Sequence, residues 1–374
     1  MIIKDIEAYP IRMEMENFAH SADPNAPKPA MEQVIIKIIG EDGTYGTGEA
    51  MSRLFIYGET PASIIYALNS FVKPRFIGQD SLNVEKLRLS IGDNWSIANN
   101  HTLKAALDSA LYDLNGKQLG VPAYVLLGGK VRDKVQLSVC MPGSRGLHDE
   151  QVRNFKKHLD DGIRAFKLKV GKGAQIDIDF VRELHDIAPE GTYFYMDANE
   201  QYSREDALRV LTALDGIIHC CEEPLPTNDN DGRRALASKV NVPILGDDSV
   251  FTTEAVWDQI QLGAIGRIGI KVARTGITQT MRIIHMAEAA SLPVHMITQL
   301  ASDICVRTGL QIAAASPWVD LPCEFIHYKC HFTDSLLKQE LEIENGFMKI
   351  PEAPGLGSDP DWDKIEKYRM KVTV

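Results

Sequence analysis

The chain has 374 residues, 44% hydrophobic and 24% charged, with a formal net charge of -11. That length accommodates one large barrel plus a smaller accessory domain, and the composition is that of a globular protein, not a disordered or fibrous one. The acidic balance, without a basic stripe, argues against nucleic acid and anionic lipid as partners; no run reaches the roughly 18 apolar residues of a membrane span.

The N-terminus, IIKDIEAYPI, alternates like a strand and lacks the basic, apolar and small-residue regions of a signal peptide, so a cytoplasmic location is expected. Six cysteines, Cys140, Cys220, Cys221, Cys305, Cys323 and Cys330, form no C-x-x-C pair and read as reduced core residues. VIIKIIG from Val34, a GEDG turn and TYGTGEA from Thr44 continue an antiparallel sheet. Between the first two strands, residues 17–28 are polar and proline-bearing, and a connection of that length suggests a functional lid or disorder. From Pro61 to Gly120 apolar residues recur at three and four, as in helices. Residues 1–128 are therefore expected to form an α+β unit.

After LLGGKVRD the texture changes to apolar runs alternating with amphipathic segments. The runs are QLSVC, AFKLKV, YFYMD, IIHCCE, VPILGD, IGRIGIK, LPVHMI and DLPCEFI. Eight strands, each but the last followed by a helix, predict an α/β fold, a (β/α)7β TIM-like barrel over 129–340. The polar, proline-rich residues 341–374 are expected to return to the N-terminal unit as part of an α+β capping domain.

Catalytic groups of such barrels lie at the C-terminal ends of strands. Here Lys167 and Lys169 end the second run, Asp197 the third, Glu222 the fourth, Asp247 the fifth and Lys271 the sixth. Three carboxylates converging from adjacent strands need a neutralising cation, and an all-oxygen set favours Mg2+, with Mn2+ as the alternative. Strand alternation puts Lys167 and Lys169 on one face, pointing into the barrel, with Phe166, Leu168 and Val170 outward. Lys271, four strands on, faces them. A metal, a second lysine and partial burial should draw a lysine toward neutrality and make it a base. Proton removal next to a carboxylate, with the cation stabilising the enolate, is the chemistry expected. The chain has no G-x-S-x-G elbow, Walker A loop or H-E-x-x-H. His295 reads as a satisfied core residue, and GKG at Gly171 as a plain strand-to-helix turn.

The stretches KLKV, YMDANE, CEEP, LGDDS and IKVARTG, with GTGEA, LLGGKVRD and PGLG, cover nearly the whole chain. In order and spacing this resembles the enolase superfamily, and within it the muconate lactonizing enzyme subgroup of the mandelate racemase and muconate lactonizing families. The resemblance implies Lys169 as a base with Lys167 as its modulating neighbour, and Lys271 as the opposite base. It implies Asp197, Glu222 and Asp247 as metal ligands in preference to Glu223 and Asp248, and Asn199 as their support. Substrate selection would fall to loops near 17–30 and 52–58, with Tyr57, Thr298 and Glu324 as candidate contacts. A small-molecule carboxylate would be the partner, and a homo-oligomer, an octamer among the forms, the assembly. Ala301 stands where muconate cycloisomerases carry a Glu, and the D-x-D of dipeptide epimerases is absent. The activities implied are a muconate-cycloisomerase-like isomerisation, with racemisation or epimerisation of an amino acid derivative, or dehydration, as alternatives; a silent metal-binding protein on the same scaffold is the non-enzyme alternative.

Overall fold

The computed structural model describes residues 1–15, 30–92, 99–325 and 332–373. The loop expected at 17–30, but for its last residue, and Cys330 lie outside these. Strands β1 (Ile3–Glu14), β2 (Ala30–Gly40) and β3 (Tyr45–Met51) form an antiparallel sheet in that order. The sheet buries Ile6, Val34, Ile36 and Ile38 against Leu103, Leu107 and Leu111 of the helix His101–Leu119. That helix is buried on most of its sides, Asp108, Asp113 and Asn115 included, because its other side packs on the barrel helix Val272–Ala289. Glu59 caps its start, accepting from the Thr102 and Leu103 amides, and Gly120 ends it in the left-handed conformation at φ 69°.

Sheet and helix touch backbone to backbone. A β-carbon on Gly48 would collide with the Ala106 carbonyl oxygen, and one on Gly46 with that of Ala110. Gly48→Ala is expected to cost about 1–3 kcal/mol by overpacking; a urea unfolding midpoint equal to the parent's would show that the contact yields freely.

The barrel strands are β5 (Val139–Met141), β6 (Ala165–Lys169), β7 (Tyr193–Asp197), β8 (Cys221–Glu222), β9 (Ile244–Gly246), β10 (Arg267–Lys271), β11 (Val294–Ile297) and β12 (Val319–Glu324), parallel and neighbours in that order. The ring closes where the Ser138 amide donates to the Cys323 carbonyl at 2.9 Å. Phe166, Leu168, Phe194, Met196 and Ile268 join the core shared with the surrounding helices, while Tyr195, Cys220, Leu245 and Ile297 form a separate buried cluster that plugs the barrel interior. The first apolar run serves two sheets. Its start, in β4 (Lys134–Gln136), pairs with β14 (Phe347–Lys349), which also pairs with β13 (Ile343–Glu344), and only β5 enters the barrel. The chain then returns to the N-terminal unit: the Leu356 amide donates to Asp113, and Arg12 and Met370 bond across the strand-to-tail seam.

Two buried carboxylates lock the cap onto the barrel. Asp108 accepts from the Ile277 and Thr278 amides at 2.6 and 2.8 Å, capping the helix beyond Lys271 where it breaks at Gly276 (φ 63°). Glu49, in β3, accepts from the Ser302 and Cys305 amides at 2.9 and 3.3 Å, at the start of the helix Asp303–Ala315. The cap thus fixes the loops that follow β10 and β11. Among the described residues no helix is long and apolar enough to cross a membrane.

Candidate active site at the C-terminal mouth of the barrel

Parallel register places the polar strand ends side by side. Lys169 is the pairing partner of Asp197, and Asp197 that of Glu222. Asp247 directly follows β9, while Lys271 and Glu324 end β10 and β12. Asp197, Glu222 and Asp247 are 1%, 1% and 2% exposed, so their charges must be met within the protein.

They are met by amines. Lys167 Nζ lies 3.1 Å from Asp197 Oδ2, 2.9 Å from Glu222 Oε2 and 3.0 Å from Glu324 Oε2. Lys169 donates to Asp197 and, at 3.0 Å, to Asn199 Oδ1. Lys271 donates to Asp247, which also faces Arg274 Nη2 at 3.1 Å. The protein's own carboxylates pull the lysines the opposite way from a bound metal. Burial alone would lower each pKa, but Asp197 with Glu222 and Glu324 outweighs it at Lys167, Asp197 at Lys169, and Asp247 at Lys271, so all three are raised. Conversely, burial would raise Asp197 and Asp247, yet Lys167 with Lys169, and Lys271 with Arg274, hold them low. Burial and the neighbouring Asp197 push Glu222 well up.

Several supporting side chains were not assigned from sequence. Glu223 turns away from the mouth at a positive φ of 36°, pairs with the buried Arg233 and accepts from the Asp247 amide at 2.6 Å. It fixes the strand end that carries Asp247. Arg145 donates to the Val170 and Ala198 carbonyls and to Asn199 Oδ1, at 2.6, 2.8 and 3.0 Å, holding the ends of β6 and β7 together. Arg274 stands inside the motif IKVARTG, but nothing in spacing says that its guanidinium folds back on Asp247. Asn199 does both jobs of a support: its side chain meets Lys169, and its amide donates to Asp197 Oδ1 at 2.9 Å.

Of the candidate substrate contacts, Glu324 is ion-paired with Lys167 and accepts from Tyr195 Oη at 2.8 Å. Thr298 donates its hydroxyl to the Glu324 carbonyl at 2.9 Å, tying β11 to β12. Tyr57 is not on an open loop. It closes a one-turn helix, Leu54–Tyr57, is buried, and donates to Gln299. Burial pushes its hydroxyl up to about 12 against the pull of Arg274 and Lys271. His295 differs from the satisfied core residue expected: both ring nitrogens are buried without a hydrogen bond among the described residues, beside the Tyr195 ring, and burial lowers its pKa to about 3. The GKG turn is plain, since the Gly171 amide donates to Asp177 at 2.9 Å.

The donor chemistry fits a hard divalent cation: three carboxylates from adjacent strands, with Glu222 Oε2 and Asp247 Oδ1 buried and lacking a hydrogen bond although ammonium and guanidinium groups stand within ion-pairing distance. Among the described residues no three His, Cys, Asp or Glu side chains are already drawn together around one point, and the lysine amines stand between these oxygens. The chemistry of the donors is the better guide, because lysine side chains move more readily than strand ends.

Residues 28–128 match the mandelate racemase / muconate lactonizing enzyme N-terminal domain, and residues 150–364 the enolase C-terminal domain-like family. The chain is 31% identical over 328 residues to an N-succinylamino acid racemase of Thermus thermophilus, covering 87% of this chain and 86% of that one. It is 29% identical over 326 residues to an L-Ala-D/L-Glu epimerase of Clostridium acetobutylicum, covering 84% and 87%. The muconate lactonizing enzyme of Pseudomonas fluorescens complexed with muconolactone superposes with a TM-score of 0.89 at 26% identity, covering 99% of each chain.

Proposed function

This chain belongs to the mandelate racemase and muconate lactonizing enzyme family of the enolase superfamily, and from that premise we propose that it is an acid isomerase that removes the proton α to a substrate carboxylate. The observation that carries this reading is the pair of amines at one mouth: Lys169 on β6 and Lys271 on β10, four strands apart in a ring of eight, with carboxylates between them. Asp197, Glu222 and Asp247 would hold Mg2+, or Mn2+ in its place. Bound there, the cation supplies the positive charge that otherwise comes from the amines, and it stabilises the negative charge that builds on the substrate carboxylate as the proton leaves. Lys169 takes the α-proton, held in place by Asp197 and Asn199. Lys167, wedged among Asp197, Glu222 and Glu324, stays cationic and sets the field at its neighbour. Tyr57 and the cap exclude water from above.

The fate of the enolate sets the product. With Lys271 remaining a cation, the enolate expels a carboxylate oxygen from the neighbouring carbon and a ring opens, or in reverse a ring closes to form the enolate and Lys169 returns the proton, a muconate-cycloisomerase-like reaction. A second reading, epimerisation, is favoured by Lys271 itself, which can return a proton to the opposite face, and by the racemase and epimerase activities of the relatives at 31% and 29% identity. Incubation with Mg2+ and a panel of carboxylic acids in deuterated water, followed by NMR, tests both. A new ring or alkene supports the first, exchange with inversion the second; no exchange with any acid, with or without metal, would remove the whole reading.

A further inference from the structure

A second cavity, of about 120 Å³, lies beside the mouth, where the cap helix His101–Leu119 meets the start of the helix Thr253–Leu262 and the break in the helix Val272–Ala289. Among the described residues its lining includes none of the strand-end lysines and acids, and neither Tyr57 nor Glu324. Phe251 and Arg274 form the partition. The Phe251 ring stands 5.6 Å from that of Tyr57, on the mouth side, and 5.0 Å from that of His101, on the cavity side. The Arg274 guanidinium lies 4.8 Å from the centre of the same Phe251 ring.

The lining says what would fill it. Phe76, Ile91, Leu107 and Leu111 are buried and give the cavity an apolar floor, and the space is close to the roughly 150 Å³ of an engineered apolar cavity that admits benzene. The charges are one-sided. Arg88, Lys104 and Arg274, with the His101 ring beside them, face Asp108 and Glu254. Asp108 is already engaged by the Ile277 and Thr278 amides and the Thr278 hydroxyl, and Glu254 is exposed. Arg274 spends its two terminal nitrogens on Asp247 and Asp248, while its Nε is buried without a hydrogen bond among the described residues. An acceptor in the cavity would relieve the cost of that unused donor.

We propose that this cavity is a ligand site distinct from the mouth and that it takes a ring-sized organic monoanion, an aromatic carboxylate, with the ring against Phe76, Leu111 and Phe251 and the carboxylate toward Lys104 and Arg274. An apolar enclosure with a few convergent polar groups is the ordinary form of a small-molecule site. Because Arg274 also pairs with Asp247, the occupant would touch the group that steadies a strand-end acid. The inference goes beyond the acid-isomerase reading and does not depend on it.

The probe is para-fluorobenzoate, titrated into protein kept metal-free with a chelator and followed by fluorine NMR, with para-fluorobenzamide as its neutral isostere. The parent is expected to bind the acid at a single site with a Kd of about 0.1–1 mM, in the range for a ligand of that size, and the amide about tenfold more weakly, as the loss of a charge-assisted contact implies. Ala105→Met, which fills the floor from a buried lining position, should weaken both ligands by about tenfold or more. Lys104→Met should bring acid and amide within about threefold of each other. Lys169→Ala, at the mouth, should bind the acid as the parent does. No saturable binding by the parent, equal affinities for acid and amide, unchanged binding in Ala105→Met, or weakened binding in Lys169→Ala each overturns the proposal. Should Ala105→Met not fold by circular dichroism, Lys104→Met and Lys169→Ala decide alone. None of these measurements requires turnover, so failure of the catalytic reading leaves their outcome unchanged.

Discussion

Lys169→Ala is expected to slow exchange of the substrate α-proton by about 10²- to 10⁴-fold, the range for losing a positioned general base. The loss should fall on chemistry more than on folding. Lys169 is the most exposed of the three lysines, its side chain 27% accessible, and Asp197 keeps Lys167 at 3.1 Å after the change. Lys271→Ala should differ by reaction. In an epimerisation each lysine serves one enantiomer, so each variant should lose exchange from one face and retain part of it from the other. In a cycloisomerisation, Lys169→Ala alone should abolish proton movement, and Lys271→Ala should act only through the lost positive charge beside Asp247. Deuterium incorporation measured separately for the two enantiomers of a reactive acid distinguishes these outcomes. Exchange at the parent rate in Lys169→Ala would reduce the mouth of the barrel to an ion-pair network.

The strand ends were legible because barrel geometry turns sequence period into position. Lys167, Lys169, Asp197, Glu222, Asp247 and Lys271 each close an apolar run, and parallel register then sets Lys169 beside Asp197 and Asp197 beside Glu222. What sequence did not carry is what side chains do after the strand stops. Glu222 and Glu223 are adjacent and identical; only the backbone at Glu223, at a φ of 36°, sends one into the mouth and the other to Arg233. Arg274 reaches Asp247 from a helix, and Asp108 and Glu49 cap barrel helices from another domain. Such long-range pairings leave no local period. The charges around the lysines are half legible for a related reason: proximity to another lysine is visible in K-x-K, whereas the carboxylates that face Lys167 come from three other strands. QLSVC looked like one strand because its apolar content is continuous, although Leu137 and Ser138 hand the chain from one sheet to another.

Glu223→Ala should be among the most destabilising single changes in the barrel, by about 3–5 kcal/mol, because it leaves a buried guanidinium without its counter-charge. Arg233 is fully buried, and apart from Glu223 its side-chain partner is Ser249 Oγ at 2.6 Å. The same substitution removes the acceptor of the Asp247 and Ser249 amides, at 2.6 and 2.9 Å. Two consequences are thus combined, and Glu223→Gln separates them: it keeps an oxygen for the amides but not the charge for Arg233. Urea unfolding should rank the parent above Gln and Gln above Ala, while catalysis, which needs Asp247 in place, should suffer less in Gln than stability does. Pairing Glu223→Leu with Arg233→Met removes both buried charges at once and should be more stable than Glu223→Ala, since two apolar side chains of similar bulk leave no charge unmet. Its activity should still be low, because the Asp247 amide would remain without an acceptor. A double variant with parental turnover would mean that Asp247 is held by Lys271 and Arg274 alone, and that the second glutamate of CEEP serves stability and not the site.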